Sequence, residues 1–193
     1  MKKIPTLFLR EYANHRVIKV MNIVTPGCEW VLEGEGYATI KYDGSCCAII
    51  GGAFYKRYDA KWGKMPPAGA IPCCDPDPVT GHWPCWVPVD GNNPSDKWFV
   101  EAYNYSRKWL VADKTYEAVG PHFQGNPHGL EHDQLIQHGT EWAHDLVPTF
   151  DGIREWLEEN EEEGLVFWLD GEPRCKIKRT DFGLEWPIKE AKE

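Results

Sequence analysis

The chain has no run approaching the ~18 apolar residues that a membrane-spanning helix needs, and its charged first ten residues lead into no apolar stretch. Neither a transmembrane anchor nor a secretory signal is expected, and a cytoplasmic location follows from that reading. Cysteines paired at zinc-finger spacing are missing, and seven is an odd number for a disulfide framework. There is no internal repeat and no low-complexity tail, and 193 residues leave no room for a second large domain. A net charge of −9, taken whole, argues against a polyanionic partner.

What is present is unevenly placed. Between Asp151 and Glu163, seven acids face only Arg154, a local balance of −6, so the rest of the chain carries only −3. Cations gather instead at Lys56, Arg57, Lys61 and Lys64, and again at Lys176, Lys178 and Arg179. Two such patches converging on one anionic ligand, or two solvated surfaces, are the readings open at this point. Aromatic residues make up 13% of the chain, with 10 Trp, enough flat apolar surface for a core and for stacking on a ligand. Cys73, Cys74, His82 and Cys85 share a short Pro-rich loop and suggest zinc, but adjacent cysteines rarely ligate one ion without strain, which favours loop packing.

The hydrophobic pattern is mostly that of strands. Residues Tyr37 to Lys41, Cys46 to Ile50, Ala53 to Tyr58, Trp98 to Tyr103, Thr115 to Val119, Gly164 to Leu169 and Arg174 to Lys178 are expected as strands. Gly51-Gly52 and Asp170-Gly171 are the expected hairpin turns. Ile153, Trp156 and Leu157 mark one face of a helix that opens near Asp151 and ends before Gly164, and a short helix is expected before Gly139. Residues 64–96, rich in Pro, Gly and Cys, read as an irregular insertion in a single 1–193 domain.

Several residues at strand ends share one chemistry. Lys41 precedes an Asp-Gly turn, Glu163 stands at the entrance of GLVFW, and Lys176 and Lys178 alternate onto one face of their strand. A lysine that attacks the α-phosphorus of a nucleoside triphosphate must lose its proton, which neighbouring cations and a metal ion favour. Lys176, Lys178 and a Mg²⁺ on Glu163 would supply both, and the same charges would stabilise phosphate oxygens in the transition state.

The segments KYDG, KRYDAK, TYEAVG, EGLVFW and KIKR, in that order, resemble motifs I, Ia, III, IV and V of the covalent nucleotidyltransferases, which include DNA ligases, RNA ligases and capping enzymes. GHWPCWVPV, TYEAVGPHFQGNPHGL, LIQHG and DFGLEWPI further resemble the small ATP-dependent 5′-to-3′ RNA ligases that have a vertebrate member. The likeness runs from about Ala38 to Ile188.

That resemblance implies an α+β nucleotidyltransferase fold, an adenylation-domain, ATP-grasp-like ligase architecture with antiparallel sheets around an ATP cleft. The 14 residues after Arg179 are too few for an OB domain. It also implies that Lys41 becomes AMP-linked, with Asp43 placing water or the substrate end and Gly44 in the nucleotide site. Arg57 would lie near the ribose or phosphate, Glu117 would contact the ribose or a metal, and Glu163 would be the metal carboxylate. Lys176 and Lys178 would bind and activate the phosphates. The cofactors implied are ATP and Mg²⁺, with Mn²⁺ able to substitute, and the partner is RNA with 5′-phosphate and 3′-hydroxyl ends. The alternatives are a self-adenylating RNA-end-binding protein that does not seal, and a ligase acting on DNA ends. His138, in LIQHG, is placed as a loop hydrogen-bonding residue rather than a catalytic one.

Overall fold

The computed structural model describes residues 3–14, 16–61 and 63–188. Eleven strands and two α-helices follow one another in these residues. They are β1 (Phe8–Ala13), β2 (Arg16–Val24), β3 (Tyr37–Lys41), β4 (Ser45–Ile50), β5 (Ala53–Ala60), β6 (Ile71–Pro72), β7 (Trp83–Pro88), α1 (Lys97–Ser106), β8 (Thr115–Val119), β9 (Gln134–Gln137), α2 (Phe150–Glu159), β10 (Gly164–Leu169) and β11 (Glu172–Lys178). All the strand ladders are antiparallel, and the fold is α+β. No helix among the described residues is long and apolar enough to cross a membrane.

The described residues divide into two compact units, one formed by Lys3 and those within 43–138, the other by those within 4–42 and 139–188. In the first, the strands run in the order β6-β7-β5-β4-β8-β9. One face of that sheet, carrying Cys47, Ile49, Tyr116, Ala118 and Leu135, packs with Ala102 of α1 and with Phe123 into a core. In the second unit, β11-β10-β3 form a three-stranded sheet and β1-β2 a hairpin. Leu165, Phe167, Cys175 and Ile177 from that sheet meet Leu7 and Phe8, and Ile153 and Leu157 of α2.

Helix α2 forms for the reasons its pattern suggests. Thr149 accepts a hydrogen bond from the Gly152 N–H at its start, and Ile153, Trp156 and Leu157 are its buried stripe. Three expectations fail locally. Trp98 to Tyr103 is helical, because Phe99, Ala102, Tyr103 and Ser106 recur at i, i+3, i+4 and i+7 and form one stripe turned inward. Where a short helix is expected before Gly139, Gln134–Gln137 form β9, whose backbone groups pair with β8 in full register. The insertion is not irregular throughout: β7 pairs with β5 along its length. Pro84 and Pro88 are tolerated because they alternate in phase. The Pro84 carbonyl accepts from Cys73 N–H on the side of the two-residue strand β6, so the missing N–H groups face that edge and not β5.

Candidate functional site

In the second unit, Lys41, Gly164 and Lys178 lie directly across from one another on β3, β10 and β11, and Thr39, Val166 and Lys176 form the next row. Ile40, Leu165 and Ile177 alternate to the opposite, core-facing side, so the three lysines share the other face. Gly164 keeps the centre of the row open and lets the strands close. A Cβ there would lie 2.1 Å from the Ile177 carbonyl oxygen and 2.9 Å from Lys178 Cα.

Glu163, one residue before that glycine, is 2% exposed and reaches both lysines: Lys41 Nζ donates to Oε2 and Lys178 Nζ to Oε1. A single carboxylate thus bridges two ammonium groups 122 and 15 residues away in sequence. Lys176 has less compensation. Burial, together with Lys41, Lys178 and Arg10 nearby, brings its ammonium down to about 8, against the opposing pull of Glu163. Its backbone is fixed by a hydrogen bond to the Pro5 carbonyl and one from Leu7 N–H.

Beside this row, Tyr42 donates to Glu141 at 2.5 Å. Burial and that carboxylate raise the Tyr42 phenol above its ordinary value. Glu162, which as a helix-end charge would be solvated, is half-buried, and burial and then Glu141 push its carboxyl up to about 7.

The first unit holds a second set. Cys46 pairs with Glu117, and Glu117 with Ile136, across β4, β8 and β9 on the face away from the α1 core. His138, two residues beyond Ile136, continues that face. Its Nε2 lies 2.9 Å from Glu117 Oε2 and its Nδ1 2.9 Å from Thr115 Oγ1. Burial pushes the Cys46 thiol up to about 12, Glu117 adds to the effect, and Arg57 opposes it. Arg57 itself bonds Asp59 at 2.9 Å. Gly44 is packed against the same strand: a Cβ would meet the Ala118 carbonyl oxygen at 2.2 Å and Glu117 Cγ at 2.9 Å. The Asp43 N–H donates to His128 Nε2 at 2.9 Å.

The structure therefore brings Lys41, Glu163, Lys176 and Lys178 together in one unit, and Arg57, Glu117 and Gly44 in the other. It removes two members from the basic patches. Lys56 is tied to the buried Asp96, and Arg179, 7% exposed, donates to the carbonyls of Leu157, Asn160 and Glu185, closing the end of α2. Arg10 and Cys46 escape a sequence reading because neither lies in a segment that marks its role, and His128, inside TYEAVGPHFQGNPHGL, gives no sign there that it meets the Asp43 N–H. His138 was flagged by LIQHG, and its bond to a motif acid 21 residues away appears only in the fold. Cys73, Cys74, His82 and Cys85 do not bring three donor atoms together among the described residues. Trp83 Nε1 donates to the Cys74 carbonyl and His82 bonds Lys3, as loop packing requires.

No protein-family model matches the chain. It aligns with curated proteins named RNA ligase 1 from Danio rerio, 29% identical over 139 residues, and Pongo abelii, 28% over 160 residues. These alignments cover 56% and 63% of this chain but 43% and 48% of the relatives, so the chain spans less than half the length of each. The protein of the same name from Rattus norvegicus is 23% identical, over 97% of this chain and 82% of its own length. The chain is thus a relative of the vertebrate proteins named RNA ligase 1.

Proposed function

We propose that the protein is an ATP-dependent RNA ligase of nucleotidyltransferase fold that joins 5′-phosphate and 3′-hydroxyl ends through a covalent lysyl-AMP on Lys41. The observation that carries this reading is the buried Glu163 carboxylate bridging Lys41 and Lys178, with Lys176 in the adjacent row. Glu163 Oε2 holds the Lys41 amine in place, and attack on phosphorus requires that amine to be free, its proton passing to solvent. Lys41 Nζ then bonds the α-phosphorus and pyrophosphate leaves. The AMP passes to an RNA 5′-phosphate, and a 3′-hydroxyl displaces it. Lys176 and Lys178 neutralise charge on the phosphate oxygens as it develops. Asp43 positions the substrate end, and Arg57 and Glu117 contact the nucleotide.

A hard oxygen donor of this kind suits Mg²⁺, which is commonly held by one or two carboxylates with substrate phosphates completing its shell. Glu163 would hold that ion. Mg²⁺ or Mn²⁺ held there would supply positive charge that stabilises the phosphates during attack.

The test is incubation with α-labelled ATP or GTP, followed by denaturing separation. A covalent adduct is expected with ATP and none with Lys41→Met, whereas an adduct persisting in that variant sinks the assignment. Adding RNA or DNA with 5′-phosphate and 3′-hydroxyl ends, nicked or apposed, decides the rest. A sealed RNA product supports the reading, adduct without sealing makes the protein a self-adenylating end binder, and sealing of DNA alone changes the substrate.

A further inference from the structure

We infer that Cys46, Glu117 and His138 form a three-ligand site for a divalent transition-metal ion of the zinc class, separate from the ion assigned above to Glu163. Their donor atoms Sγ, carboxylate O and imidazole N all lie within 4.8 Å of one another. Metal–ligand bonds of ~2.0–2.3 Å place donors on a tetrahedral ion roughly 3.3–3.7 Å apart. Small side-chain adjustments therefore close the site, and no strand has to move.

Three features beyond proximity support it. The ligands come from adjacent strands in register, so the sheet holds them in place: Cys46 is opposite Glu117, and His138 follows the residue opposite Glu117 by two. His138 already has the outer partner of a ligating imidazole, since Nδ1 sits 2.9 Å from Thr115 Oγ1 while its own N–H is anchored to the Thr115 carbonyl at 3.0 Å. With the ring proton on Nδ1 and directed to that hydroxyl, Nε2 would bind a metal in place of its 2.9 Å hydrogen bond to Glu117 Oε2. The side chains of Glu117 and His138 are 13% and 20% exposed, so the site is sheltered yet reachable, leaving a fourth position for water or a substrate donor.

The donor set decides the metal. Thiolate and imidazole select zinc-like ions over Mg²⁺, which takes oxygen. On binding, the Cys46 S–H bond breaks, its proton goes to solvent and the Sγ–metal bond forms, with no change of oxidation state. One thiolate and one carboxylate then face a doubly charged ion. Arg57, the neighbouring cation, bonds Asp59 at 2.9 Å and also reaches Cys46, where it favours the thiolate form that a metal would take up. None of this depends on the ligase reading, and the experiment leaves ligase activity aside.

The full chain is stripped with a chelator and titrated with Co²⁺ as a spectroscopic probe, then with Zn²⁺. One equivalent should bind and give a near-ultraviolet thiolate-to-cobalt band that Zn²⁺ erases. Cys46→Ser should abolish the band, and Thr115→Val should weaken binding about tenfold through the outer partner. X-ray absorption of the zinc-loaded wild-type chain needs no variant and should show one sulfur among nitrogen and oxygen neighbours. Absence of the band, or two or more sulfurs on the ion, overturns the proposal. So does a band that survives Cys46→Ser, since it moves the metal to other cysteines such as Cys73, Cys74 and Cys85.

Discussion

Replacing Lys176 by methionine should make the protein more stable at neutral pH while slowing its chemistry. Methionine keeps most of the length and the apolar stem of the side chain and removes the charge that burial, and then Lys41, Lys178 and Arg10, disfavour. Strand β11 is held at this residue through backbone bonds to Pro5 and Leu7, which the substitution leaves alone. Moving the ammonium from 10.5 to about 8 corresponds to about 3 kcal/mol of disfavoured charge. The side chain is only half-buried, so water screens part of that, and a gain of about 1–2 kcal/mol is expected.

The sign of the pH dependence follows. Below about pH 8 both folded and unfolded wild-type chains hold the proton and the cost is fully present; between 8 and 10.5 the unfolded chain binds more protons, so wild-type stability rises. Urea unfolding of both proteins across pH 7 to 10.5 should show the advantage of Lys176→Met largest at pH 7 and vanishing at the upper end. Adduct formation by the variant should be slower even at saturating ATP, because the lost charge acts on the phosphorus under attack. No stability gain at pH 7, or a gain constant across the range, refutes a Lys176 ammonium disfavoured by burial and by neighbouring cations.

Glu163→Gln leaves two ammonium groups sharing a neutral amide, and a loss of about 2–3 kcal/mol in chemical unfolding is expected, less than for a fully dry pair because both lysines touch water. In that variant adduct formation should fall most at low Mg²⁺ and recover partly as Mg²⁺ is raised; if Glu162→Gln shifts the metal dependence in its place, the assignment of the motif carboxylate is off by one. Glu162→Gln should gain about 1 kcal/mol near pH 8, after discounting for solvent. Its carboxyl is raised from 4.5 to about 7, so wild-type stability is lost as pH rises through 7 and the two proteins should unfold alike near pH 4.5. Gly44→Ala drives a Cβ against the Ala118 carbonyl and Glu117. It should cost about 1–3 kcal/mol and displace Glu117, so a melting temperature equal to the wild type would contradict the close approach.

Local pattern alone located much of this protein. Period-two alternation gave β3, β8 and β10 with their observed bounds, and the stripe of Ile153, Trp156 and Leu157 gave α2. The same alternation put Lys176 and Lys178 on one face, because side-chain direction along a strand depends on nothing distant. The pattern misread α1, where an apolar run satisfies strand and helix alike until Ala102 and Ser106 find the core. It also missed β7 and β9, whose pairing is decided by neighbours remote in sequence.

The candidate site was legible as residue types and not as a charge arrangement. Lys41 and Glu163 are 122 residues apart, and only the register of β3 on β10 makes one carboxylate serve two lysines. Lys56 and Arg179 look in sequence like ligand-facing cations, yet tertiary packing ties them to Asp96 and to the end of α2. Cys46, Glu117 and His138 belong to three separate stretches that meet because β4, β8 and β9 are neighbours. Sequence determined which chemical groups the chain carries and which way each strand turns them. The fold alone decided which charges meet, because electrostatic interaction depends on distance and burial, and both are set by contacts remote along the chain.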